Sequence, residues 1–123
     1  GVGAQAGTDI RNSAPAHGYG RLDYELASPT SIRVWANVLA PNKDQDSFWV
    51  RMDDQAWIKW NNLKPSCDDV HDSNKSGEPT VLFKMQPGSH RLEFAYREGG
   101  ARLTSNIVLD EDPDLSGVSQ CSD

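Results

Sequence analysis

At 123 residues the chain has room for one domain and one core, and with 37% hydrophobic residues it is not polar enough to stay disordered. Its formal net charge of −6, with the basic residues scattered, argues against nucleic acid and anionic membrane surfaces, which need a basic stripe. No apolar run approaches the length that crosses a bilayer. The first seven residues have neither the charged nor the apolar region of a signal peptide, so the chain reads as a processed product or a segment of a longer protein.

Helix spacing is nearly absent, and period-two alternation takes its place. Seven strands are expected, over 21–26, 31–38, 47–52, 56–60, 80–85, 90–96 and 101–109. In the second, Ile32, Val34, Ala36 and Val38 share one face, while Arg33, Trp35 and Asn37 share the other. The third sets Phe48, Val50 and Met52 against Trp49 and Arg51. The sixth sets Leu92, Phe94 and Tyr96 against Arg91, Glu93 and Ala95. Pro41 to Asp44, Asp53 to Gln55 and Gln86 to Ser89 supply turns, and Gly99 with Gly100 predicts a tight hairpin between the last two strands. The stretch 64–79 reads as a long polar loop. Seven short strands at this spacing predict an all-β fold, a β-sandwich or jelly roll, forming one domain over 1–123 with its core in about 18–114.

Cys67 and Cys121 fit one disulfide that would tie a polar tail to the long loop in an oxidising, secreted or periplasmic setting, although two free buried thiols would look the same in sequence. Catalytic patterns are missing: no Gly-x-Ser-x-Gly, no His-Glu-x-x-His, no phosphate-cradling loop. His17, His71 and His90 have no metal-ligand spacing and read as solvated loop or strand-edge residues. The carboxylate pairs Asp53 with Asp54 and Asp68 with Asp69, and the run Asp110, Glu111 and Asp112, are assigned to turns, where Asp is favoured for backbone reasons. Asp44 with Asp46, or Asp110 through Asp114, could offer oxygens to calcium, but neither has the EF-hand pattern. No enzyme activity and no cofactor are expected.

Four tryptophans are a high load, and three of them lie between 49 and 60. Sugar C–H groups stack on aromatic faces, and neighbouring polar groups take the hydroxyls. Asp54 through Asn62 contains both kinds of residue. Trp57 and Trp60 are three apart, so a straight strand sends them to opposite faces. Because Asn61 and Asn62 follow it, Trp60 is expected to be the exposed one; Trp35 and Trp49 are assigned to packing.

Taken together, Ser47 to Asp53 followed by Trp57 to Asn61, Gln86 to Leu92 with Ala95 to Leu103, and Ile107 to Asp114 resemble the β-jelly-roll carbohydrate-binding modules of families 6 and 35 and their relatives. The resemblance covers roughly residues 18–114 and is specific as a combination rather than piece by piece. It implies a sugar cleft at one end of the sandwich, formed by Tyr19, Trp60 with Trp57 as its substitute, Asn61, and Arg97 and Arg102. It also implies a parent polysaccharide-degrading enzyme on the same full-length chain. Two departures stand out. No Glu-x-Glu pair precedes Gly18 and Thr104 replaces the expected Asp, which removes ligands of the structural calcium such modules carry. The loop holding Cys67 contains no tryptophan.

The expected function is thus non-catalytic binding of a polysaccharide or oligosaccharide that targets a secreted enzyme to its substrate. Arg97 and Arg102 would suit an acidic or galactan-type glycan through charge-assisted bonds. The competing expectation is a structural or adhesive β-sandwich whose tryptophans are all core.

Overall fold

The alternation in the sequence becomes strands wherever one parity is apolar. The computed structural model describes residues 2–3, 20–40, 47–64, 66–97, 102–115 and 121. Within them run nine strands: β1 (Val2–Gly3), β2 (Gly20–Leu26), β3 (Thr30–Leu39), β4 (Phe48–Met52), β5 (Ile58–Trp60), β6 (Cys67–Asp69), β7 (Phe83–Met85), β8 (Gly88–Tyr96) and β9 (Arg102–Glu111). They form two antiparallel sheets. One has the order β1-β9-β3-β6, with β7 also on β3; the other has the order β2-β8-β4-β5. β7 pairs with β3 at 30–32 and β6 pairs with it at 35–37, so the two short strands share the length of one long one.

A single hydrophobic core lies between the sheets. Ile32, Val34, Ala36 and Val38 of β3, with Phe83 and Met85 of β7, pack against Phe48, Val50 and Met52 of β4, Leu92 and Phe94 of β8, and Trp60 of β5. Burying each large side chain contributes about 1.5–3 kcal/mol, so this apolar parity holds the sheets together. Trp35 and Trp49 are also buried, as expected, but on the other parity of their strands and outside that core cluster. The chain is therefore an all-β, two-sheet protein, and no helix among the described residues is long and apolar enough to cross a membrane.

Two expectations about connections change. The hairpin placed at Gly99 and Gly100 is not one, because β8 and β9 pair in different sheets and the chain between them crosses over. Gly99 and Gly100 themselves lie outside the described residues, as do the turn at 41–44 and the acidic pair Asp44 and Asp46. The stretch 64–79 is not loop throughout: it contains β6, and the Asp68–Asp69 pair assigned to a turn lies on this strand, buried. The β4–β5 connection is the turn foreseen, with Asp53 at a φ of 51°.

Cys67 and Cys121 are joined, with Cα atoms 5.7 Å apart. The bridge fastens the tail to β6, at the edge of its sheet.

Candidate functional site

The sheet made of β2, β8, β4 and β5 sends one parity away from the core; there Trp49 and Ala95 are buried, and the rows beside them are charged. In register across the sheet, Arg21 of β2 faces Glu93 of β8, which faces Arg51 of β4; in the next row Asp23 faces Arg91. These cross-strand neighbours stand close enough for ion pairing. Arg51 Nη2 lies 2.9 Å from Glu93 Oε1, and Arg91 Nε lies 2.7 Å from the same oxygen. Arg91 Nη2 also donates to Asp54 Oδ1 at 2.6 Å.

At one margin this lattice meets an indole. The Arg51 guanidinium carbon lies 4.5 Å from the centre of the Trp57 ring, and Trp57 is half-buried. At the other margin a groove of about 480 Å³ opens, lined by Arg21, Asp23, Glu25, Ser89 and Arg91 around Tyr24, His90 and Asp53. Tyr24 and His90 come from facing positions of β2 and β8, with ring centres 5.6 Å apart. The Tyr24 hydroxyl donates to Met52 Sδ at 2.8 Å, and burial first, then the charges of Asp53 and Glu111, pushes it up to about 12. His90 holds Asp53 Oδ2 at 2.7 Å and the Gln86 carbonyl at 2.6 Å. These two hydrogen bonds, the Gln86 one foremost, raise its pKa above the usual value near 6.5. His90 is thus no solvated strand-edge residue.

The residues chosen from sequence do not form one cluster. Trp60 is a correction: it is fully buried, paired with Phe48, with its ring centre 6.4 Å from that of Phe48 and 6.4 Å edge-on from that of His71. Parity explains this. Ile58 is inward, and Trp60, two residues on, must follow it; Trp57 and Lys59 take the outward side. Asn61 is fixed through its backbone, its N–H donating to Ser73 Oγ at 2.9 Å and its carbonyl 2.6 Å from His71 Nε2. Arg97 is half-buried, and its Nη1 donates to Ser47 Oγ at 3.1 Å. Asn61 and Arg97 share an end of the sandwich, since each follows a partner of Phe48. Trp57 stands at the opposite end of β5, about 13 Å along the strand. Tyr19 lies outside the described residues, and of Arg102 only the strand position is described, opposite Leu39.

Sequence reasoning passed over Tyr24, His90, Asp53 and the Arg51–Glu93–Arg91 lattice. A signal existed in the alternating charges of Arg21, Asp23 and Glu25 and in Arg91 with Glu93. Pairing β2 with β8 is what makes them one surface.

A second polar cluster, Asp68, Asp69 and His71, brings three ligand-type atoms within 4.8 Å of one another. Its atoms are spent on the protein. Asp69 Oδ2 takes hydrogen bonds from Arg33 at 2.9 Å and Thr80 at 2.7 Å, and Asp68 Oδ2 accepts the Lys64 N–H at 3.0 Å. The His71 nitrogens stand 3.1 and 2.6 Å from the carbonyls of Asp69 and Asn61. Burial raises the Asp68 carboxyl, which disfavours the charge a cation would need. His71, expected in solvent, is instead a buried brace between β5 and β6.

No family model matches this chain, and neither a curated protein nor a solved structure does.

Proposed function

We propose that this protein is a non-catalytic carbohydrate-binding module whose sugar surface is the outward face of the β2-β8-β4-β5 sheet. One observation carries the reading: a polar groove of about 480 Å³ connects through Arg91, Glu93 and Arg51 to a half-buried indole, Trp57. Its volume falls in the range of small-ligand sites. An aromatic face with fixed guanidinium and carboxylate groups beside it is what a pyranose ring and its hydroxyls need. The rim residues Asn61, Arg97, Tyr19 and Arg102 belong to the other end of the strands or lie outside the described side chains, so the site moves from rim to sheet face.

The groove is read as a binding surface because its central carboxylate is fully engaged. Asp53 accepts from His90 through one oxygen and from the Arg91 N–H, at 2.8 Å, through the other. In the groove lining Asp23, Glu25 and Asp53 are balanced by Arg21, Arg91 and a protonated His90, so no excess positive charge selects an acidic glycan and a neutral polysaccharide replaces the acidic one suggested by Arg97 and Arg102. In favour of a jelly roll is the strand order, in which the chain passes repeatedly from one sheet to the other. The disulfide favours secretion and a parent enzyme acting outside the cell.

Burial of Trp35, Trp49 and Trp60 favours the competing reading, a structural sandwich with no sugar site. A glycan array separates the two. The module should bind a neutral polysaccharide at micromolar to millimolar strength, roughly −8 to −4 kcal/mol. Silence across all neutral glycans would favour the structural sandwich.

A further inference from the structure

His90 is the third residue of β8 and lines the groove, its side chain 11% exposed. Its two ring nitrogens face the Asp53 carboxylate at 2.7 Å and the Gln86 carbonyl at 2.6 Å. Neither partner has a hydrogen to give. Both contacts are satisfied only when the ring donates from both nitrogens, which is the imidazolium form. A neutral ring carries one N–H, so one short contact would set two lone pairs against each other.

The two acceptors come from different turns. Asp53 opens the β4–β5 turn at a φ of 51°, and Gln86 precedes Gly88, whose φ of 120° suits glycine. We infer that His90 is a proton-operated latch, tying the β4–β5 turn to the β7–β8 turn beside the groove and releasing one of them when it loses a proton. The inference rests on the sugar-site reading for its purpose, though its chemistry stands without it.

Other titratable groups line the groove around this ring or bond to its neighbours. From β2 come Tyr24, 5.6 Å away centre to centre, and the groove residues Asp23 and Glu25. The β4–β5 turn brings Asp53 and Asp54, β8 brings Arg91 and Glu93, and Glu111 of β9 acts on Tyr24. Tyr24, held at about 12, keeps its proton, and Arg91 is held further toward its charged form, by Asp54 first. The His90 pKa is itself raised. The latch is therefore closed in mildly acidic solution and released as the medium turns alkaline.

The test is side-chain 15N NMR of His90 between about pH 5 and 9, with hydrogen exchange at the Arg91 amide corrected for its intrinsic pH dependence. Wild-type protein should show His90 doubly protonated at about pH 6, a midpoint above the usual 6.5, and Arg91 protection falling about tenfold on that midpoint. Asp53→Asn should move the midpoint down. A wild-type midpoint at or below 6.5, or Arg91 protection that stays flat while His90 deprotonates, overturns the latch. Affinity electrophoresis on neutral polysaccharides in both pH regimes tests the sugar reading separately. Absence of retardation in both would count against the sugar site, while the latch stands or falls on the His90 titration alone.

Discussion

Arg51 holds Trp57: its guanidinium carbon lies 4.5 Å from the centre of the indole, while its Nη2 lies 2.9 Å from the Glu93 carboxylate. The pair ranks as a cation–π contact, anchored by an ion pair that fixes the arginine's orientation.

Truncating Arg51 should therefore release two partners. Arg51→Ala is expected to cost about 1–2 kcal/mol, from the lost cation–π contact and the loosened Glu93 pair. Urea unfolding measures that cost. Fluorescence should report a redder, more quenchable Trp57, and an unchanged spectrum would contradict the stacking.

Trp57 and Trp60 should behave oppositely on truncation. Trp60 has no exposed surface, so Trp60→Ala is expected to cost about 3–5 kcal/mol. Trp57→Ala should cost less, about 1–3 kcal/mol, since Trp57 is only partly buried. Equal unfolding midpoints for the two variants would refute the assignment of sides.

That contrast also marks what the sequence disclosed. Wherever aliphatic residues alternate, as at Ile32 through Val38, strand and inward face were both legible and the structure agrees. Trp60 was misplaced because the asparagines after it outweighed the parity with Ile58, although burial follows parity. β6 stayed hidden because its residues are Cys67, Asp68 and Asp69, whose burial depends on Arg33 of β3 and on the tether to Cys121. The Tyr24–His90 groove could not be found by local reading. Its members are 66 positions apart (90 − 24) and meet only through long-range pairing of β2 with β8.

The disulfide closes a separation of 54 residues, for which chain entropy gives up to about 4 kcal/mol. Cys67→Ser with Cys121→Ser is expected to lower stability by about 2–4 kcal/mol in urea. Reductant should shift the wild-type midpoint similarly. No shift on reduction would show that β6 needs no covalent tether.

Stability should also carry the signature of His90. Its folded pKa is raised, so its contribution is fully present below the unfolded value near 6.5 and is lost as pH rises through the folded value. The stability difference between wild type and His90→Gln is expected to be largest at about pH 6 and to level off by about pH 9. A difference that grows with pH would reverse the sign and contradict the bonding described.

Affinity electrophoresis of wild type, Trp57→Ala and Arg97→Ala in gels containing the best neutral polysaccharide decides where the sugar lies. Loss of the indole should weaken binding about tenfold or more, equivalent to about 1.4 kcal/mol, while Arg97→Ala migrates with wild type. If Trp57→Ala is retarded as strongly as wild type and Arg97→Ala is not, the outward sheet face is not where the glycan binds.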